Sequence, residues 1–149
     1  MTLRHGLEIR AATAAEAPGL AILLAEAGLI LDARDIAERL ANLRQGSAAA
    51  LVAVQWGPRS GLVLMHWYPT LEAAGPVAQL TMLLVGEETR RLGIGRLLLK
   101  GAAQAARVAG CAQLEIAAAS DAPSLHGFCR ATGFVEAGPR FVRSLRKQG

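Results

Sequence analysis

Arg90-Arg91-Leu92-Gly93-Ile94-Gly95-Arg96 sets three guanidinium groups and two glycines in seven residues, between an apolar run and a segment of helical period. That pattern suits an anion. The first N–H groups of a helix have no internal acceptor, and the helix dipole leaves partial positive charge at that end. A helix start is therefore a ready phosphate site. Gly93 and Gly95 lack a Cβ, so phosphate oxygens can approach the main chain closely. Arg90, Arg91 and Arg96 add full charge around the same point. The rival reading is a plain strand–helix connection with packing glycines and solvated arginines. No G-x-x-x-x-G-K-[ST] occurs, which excludes a Walker loop. The third glycine of G-x-G-x-x-G is missing after Gly95, which argues against a dinucleotide fingerprint.

The elements around this turn follow from hydrophobic period. Leu80, Met82, Leu83, Leu84 and Val85, ended by Gly86, predict a short buried strand. Leu97, Leu98, Ala102, Ala105, Ala106 and Ala109 recur at helical spacing up to Gly110. Upstream, Leu7–Arg10 reads as a strand, and Thr13 with Glu16 reads as a capping box opening a helix over Ala14–Ala27. Asp32 caps a second helix over Ala33–Leu43. Strands at Ala48–Gln55 and Leu62–Trp67 flank a turn at Gly57–Gly61, and Pro69–Pro76 is a loop. Downstream come a strand over Ala112–Ala119 and a helix capped by Ser120 or Asp121 with Pro123 in its first turn. Gly133 ends that helix, and closing strands follow at Phe134–Glu136 and Arg140–Leu145. The fold class is α/β (α+β), with a mixed central sheet of about six to seven strands and helices on both faces, in one domain over residues 1–149.

Composition narrows the function. Hydrophobic content of 52% and charged content of 19% describe a globular chain. No apolar run reaches the ~18–20 residues of a spanning helix, and MTLRHGLEIR has no signal-peptide core. A soluble, cytoplasmic protein is expected. Cys111 and Cys129 lack C-x-x-C partners, so neither a disulfide framework nor a metal site is expected. The net charge of +4 is carried almost wholly by arginine. No recognition-helix or RNP-like pattern accompanies it and aromatics are 4%, so a polyanionic cofactor fits better than nucleic acid.

Arg90-Arg91-Leu92-Gly93-Ile94-Gly95 resembles the Arg/Gln-x-x-Gly-x-Gly/Ala loop of the GNAT N-acetyltransferase superfamily. Leu125-His126-Gly127-Phe128-Cys129-Arg130-Ala131-Thr132-Gly133-Phe134 resembles its Ala-His-x-Phe-Tyr-x-x-x-Gly-Phe segment, and the order of elements matches over nearly the whole chain. The resemblance implies the GNAT fold and a coenzyme A site formed by Leu83, Leu84, Val85, Arg90, Arg91, Leu92, Gly93, Ile94, Gly95 and Arg96. It implies an acetyltransferase moving acetyl from acetyl-CoA to the primary amine of a small molecule. Pro69–Leu80 is similar, more weakly, to small-amine acetylases such as the aminoalkylphosphonate and glucosamine-phosphate enzymes. No metal, nucleic acid or membrane partner is implied, and pairing as a homodimer is allowed.

Acetyl transfer to an amine needs one group to take a proton and another to protonate the departing thiolate. The family's tyrosine in the second role is replaced by Cys129, whose thiol titrates low enough to donate; the same residue could simply pack. The central-strand carboxylate frequent in the family is replaced by Gln79, Thr81 or Met82. His66 becomes the candidate base, since histidine is the side chain suited to such work near neutrality, with Glu72 or a relaying water as alternatives. His126, three residues before Cys129, shares its helix face. Because both usual proton-handling positions are altered, the alternative is a non-catalytic or vestigial acyl-CoA binder.

Overall fold

Side chains alternate along a strand, so pairing register decides which residues of a central strand meet which helix. The computed structural model of the chain describes residues 2–3, 7–54, 59–87, 93–117, 123–138 and 141–146. They fall in two compact units, Met1–Ile116 and Ala117–Gly149.

In the first unit the order is β1 (Thr2–Leu3), β2 (Leu7–Ala11), a 3-10 turn (Ala14–Glu16), α1 (Ala17–Glu26), α2 (Ala33–Arg44), β3 (Ala48–Val54), β4 (Arg59–Tyr68), β5 (Val77–Val85), α3 (Ile94–Val108) and β6 (Gln113–Ile116). Among the described residues these strands form one mixed sheet in sequence order. Neighbours are antiparallel through β5; β6 then runs parallel to β5 after the α3 crossover. On one face, Ala50, Val52 and Leu62 bury themselves against Leu20, Leu23 and Leu24 of α1 and Ile36 and Leu40 of α2.

The opposite face takes α3. Its buried residues Ile94, Leu98, Ala102 and Ala106 repeat every four positions, the stripe expected of a sheet-packed helix. Gly61 of β4 makes the approach feasible. A Cβ there would lie 2.8 Å from Leu98 Cδ1, 3.0 Å from the Leu84 carbonyl oxygen and 3.1 Å from Ile94 Cγ2. The Leu84 oxygen belongs to the sheet and cannot swing aside. Gly61→Ala is therefore expected to cost about 1–3 kcal/mol, as overpacked cores do, read as a lower denaturation midpoint at unchanged m-value.

Several local expectations are corrected. Thr13 makes no side-chain cap, and the first helix opens as a 3-10 turn before α1 begins at Ala17. Glu16 is buried, and its carboxylate accepts a 2.9 Å bond from Arg10 Nη2. A buried carboxylate gains more from a charged partner than from one backbone donor, and that preference overrides the capping box. Asp32 does cap α2, accepting from the Asp35 N–H at 2.8 Å. β4 starts at Arg59 and so absorbs the end of the expected turn, while 55–58 lie outside the described residues. β6 is shorter than Ala112–Ala119.

In the second unit α4 spans Pro123–Ala131; its expected caps, Ser120 and Asp121, lie outside the described residues. Gly133 at φ 94° turns the chain, with the Phe134 N–H donating to the Cys129 carbonyl at 2.9 Å. The closing strands do not form among the described residues: 134–138 and 141–146 are irregular. Val135, Phe141, Val142 and Leu145 are exposed there. Apolar β-formers make a strand only when an edge supplies ladder partners.

Candidate active site

β5 changes its pairing on both sides at one residue. On the β4 side the register runs Leu64↔Met82 and then Met65↔Leu80, so Thr81 is an extra residue without a partner. On the β6 side pairing covers only Val77–Leu80, ending at Leu80↔Ile116. A β-bulge releases a backbone N–H from the ladder, and among the described residues no strand pairs with Thr81–Val85 on that side. The result is a strand edge bearing backbone donors and acceptors. Thr81 is exposed, its hydroxyl 3.5 Å from the Leu64 carbonyl oxygen.

That edge leads toward α3. Val85 pairs with Gly61, and Ile94 Cγ2 lies over Gly61, so the helix starts above the end of β5. Gly93 is its N-cap at φ 79°, ψ 12°, a left-handed conformation that glycine adopts without strain. No side chain caps this end, its first turn has no acidic residue, and the first intrahelical bond is the Leu97 N–H to the Gly93 carbonyl. The N–H groups of Ile94, Gly95 and Arg96 thus have no acceptor within the helix. Ile94 is itself buried, so only its backbone can serve a ligand. Leu84 packs against the α1–α2 core, which leaves it, too, its backbone. Arg96 is exposed. Arg90, Arg91 and Leu92 lie outside the described residues.

His66 on β4 pairs with Gln79 on β5, which pairs in turn with Glu115 on β6. The three form one row on one face of the sheet, two residues short of the bulge. Tyr68, next on that face of β4, donates from its hydroxyl to Glu115 Oε1 at 3.4 Å. Burial, and secondarily the Glu115 charge and that hydrogen bond, raise the Tyr68 pKa, so the phenol stays a donor. Glu72, the alternative base, is exposed in the loop after β4.

Cys129 sits on α4 and is buried. Burial raises its thiol pKa, with Arg130 pulling the other way. His126 lies one turn earlier on α4. Among the described residues no group of three or more His, Cys, Asp or Glu could hold a metal ion, and no helix is long and apolar enough to cross a membrane.

Sequence reasoning passed over Thr81 as a backbone donor and Glu115 altogether. The first leaves a faint trace: Gln79, Met82 and Leu84 break strict alternation, as a bulge requires. Glu115 leaves none, since its neighbours come from pairing.

A search of curated proteins by sequence finds no match. Solved structures match in number. One, from Agrobacterium tumefaciens str. C58 and provisionally named an acetyltransferase, is 25% identical over 92% of this chain and 99% of its own, with a TM-score of 0.82. Another, provisionally named likewise and from Arthrobacter sp. FB24, is 29% identical over 93% and 96%, at 0.78. An aminoglycoside 6'-N-acetyltransferase from Acinetobacter haemolyticus is 21% identical over 95% and 99%, at 0.77, a likeness of fold. The family model described as Acetyltransferase (GNAT) family matches residues 29–134, a span that holds the bulged β5, the glycine-opened α3 and the Cys129 helix, and the chain belongs to that family.

Proposed function

We propose that this chain is an N-acetyltransferase of the cytoplasm that moves the acetyl group of acetyl-CoA to the primary amine of a small molecule. The observation that carries the reading is the coincidence at Thr81, where β5 bulges away from β4 and parts from β6. A released N–H beside an open edge suits a thioester carbonyl whose oxygen becomes an oxyanion in the transition state. The uncapped first turn of α3, with Arg96 and by resemblance Arg90 and Arg91, holds the pyrophosphate. The amine nitrogen attacks the carbonyl carbon, the C–S bond breaks, and coenzyme A leaves as thiolate. His66 takes the proton released by the amine, directly or through one water, and Cys129, in the role the family resemblance gives its position, supplies a proton to the thiolate.

The test is thiol release from acetyl-CoA across a panel of primary amines. Turnover with at least one amine is expected. Tight coenzyme A binding with no turnover on any amine would instead assign the vestigial binder.

Arg96 allows a sharper check. A cation in the first turn opposes the helix dipole, by about 0.3–1 kcal/mol. Arg96→Glu should therefore leave the melting temperature unchanged or slightly higher, yet weaken coenzyme A binding by roughly tenfold or more as a carboxylate replaces a cation beside the phosphates. Equal affinity in the variant, titrated at low salt, would remove Arg96 from the site.

A further inference from the structure

The row across β4, β5 and β6 holds one charge. His66, Gln79 and Glu115 are aligned by register, and the next row on that face carries Tyr68, Val77 and Gln113. Neither row contains a lysine or arginine. Glu115 is half-buried and, among the described residues, receives a long bond from the Tyr68 phenol, a weak partner for a carboxylate. It stands next to the last paired position before β6 leaves β5, so it borders the open edge where the thioester carbonyl would lie.

We propose that Glu115, steadied by Tyr68, is a cation subsite for the acceptor, and that the acceptor is a short diamine whose second ammonium binds there while its other amine attacks at the bulge. The inference rests on the acyl-transfer reading above. The separation supports it: Glu115 lies one strand across from Gln79, which is two residues from Thr81, so the backbone diagonal from Glu115 to the bulge is about 8 Å, a gap that a chain of about four methylenes spans once the glutamate side chain reaches in. The sign of the charge also selects against phosphorylated or phosphonate amines, the acceptors of the small-amine acetylases that Pro69–Leu80 resembles. A lone carboxylate repels those anions and attracts a second ammonium.

Tyr68 makes the test direct, because it is the only tyrosine in the chain. Its ring carbon signal in an NMR spectrum of the coenzyme A-saturated protein reports on the subsite whether or not turnover occurs. Titration with butane-1,4-diamine is expected to shift that signal saturably, while butylamine and 2-aminoethyl phosphate bind far more weakly. Glu115→Gln keeps the shape and an acceptor for the phenol but removes the charge. It should weaken the diamine by about 10–100-fold, the range for a hydrogen bond to a charged group, and leave butylamine unchanged. Glu115→Asp keeps the charge and should keep the preference for the diamine. In turnover the Gln effect should fall on KM for the diamine rather than on kcat.

Unchanged diamine affinity in Glu115→Gln, no diamine shift in the wild type, or a preference for 2-aminoethyl phosphate would each overturn the inference. Glu115-dependent diamine binding without thiol release would uphold the subsite and remove the acyltransferase reading. Thiol release with diamine and butylamine alike, in both proteins, would do the reverse.

Discussion

Gly93→Val should lower coenzyme A affinity by at least about a hundredfold while the protein stays folded. The argument is one of backbone angle. Among the described residues, chain neighbours aside, no atom lies within 4 Å of where a Cβ would sit on Gly93, so no collision is seen there. The residue is nevertheless at φ 79° as the N-cap of α3, and for an L-residue the left-handed conformation costs about 1–2 kcal/mol, more when β-branched. The cheapest relief is to rotate the cap, which re-aims the N–H groups of Ile94, Gly95 and Arg96. Charge-assisted hydrogen bonds are worth about 1.5–3 kcal/mol each, so two misdirected donors account for the hundredfold. The buried stripe of Leu98, Ala102 and Ala106 is untouched, so circular dichroism should remain that of the wild type. Wild-type affinity by calorimetry in the folded variant would remove the anion site.

Cys129→Ala should reduce kcat by about 10²–10⁴-fold, the usual worth of a positioned proton donor, with little change in acetyl-CoA affinity. Burial holds the thiol pKa above its ordinary value against the pull of Arg130. A raised pKa keeps the proton on sulfur through neutral pH, the state an acid must occupy, and lets activity persist until alkaline pH strips it. The alkaline limb of the wild-type kcat profile should therefore lie above the ~8.5 of a free thiol and vanish in the alanine variant. Cys129→Tyr, which restores the family's residue, should retain or raise activity where the ring is accommodated. Equal turnover in Cys129→Ala would show that the thiol only packs.

What could be read in advance was local and periodic. The α3 stripe, the Asp32 cap and the Gly133 stop declare themselves through one residue type or one spacing. The capping box at Thr13 failed because Arg10, six residues from Glu16, reached its carboxylate first, and that competition is invisible until β2 and the turn are folded. The closing strands failed for a related reason: β-propensity in Phe141–Leu145 is a capacity to pair, and pairing depends on an edge elsewhere. His66 is a candidate by its chemistry alone, and its alignment with Gln79 and Glu115 is a matter of register. No scan of neighbours along the chain brings residues 66, 79 and 115 together.

The seat of α3 against the sheet has a thermodynamic corollary. Gly61 faces Leu98 across a gap too narrow for a methyl group, Gly101 packs closely on Leu51 and Ile9, and Ala102 and Ala106 complete the contact. Alanine and glycine have no side-chain rotamers to freeze, so the helix is held by a surface with almost nothing left to rearrange. An anion arriving at its first turn meets donors already immobile, and the entropic penalty of ordering them was met when the chain folded. Two signatures follow from such a rigid mount. Amides over Leu98–Ala106 should exchange with solvent only through global unfolding, and coenzyme A should leave their protection factors unaltered up to the stabilisation that binding itself confers.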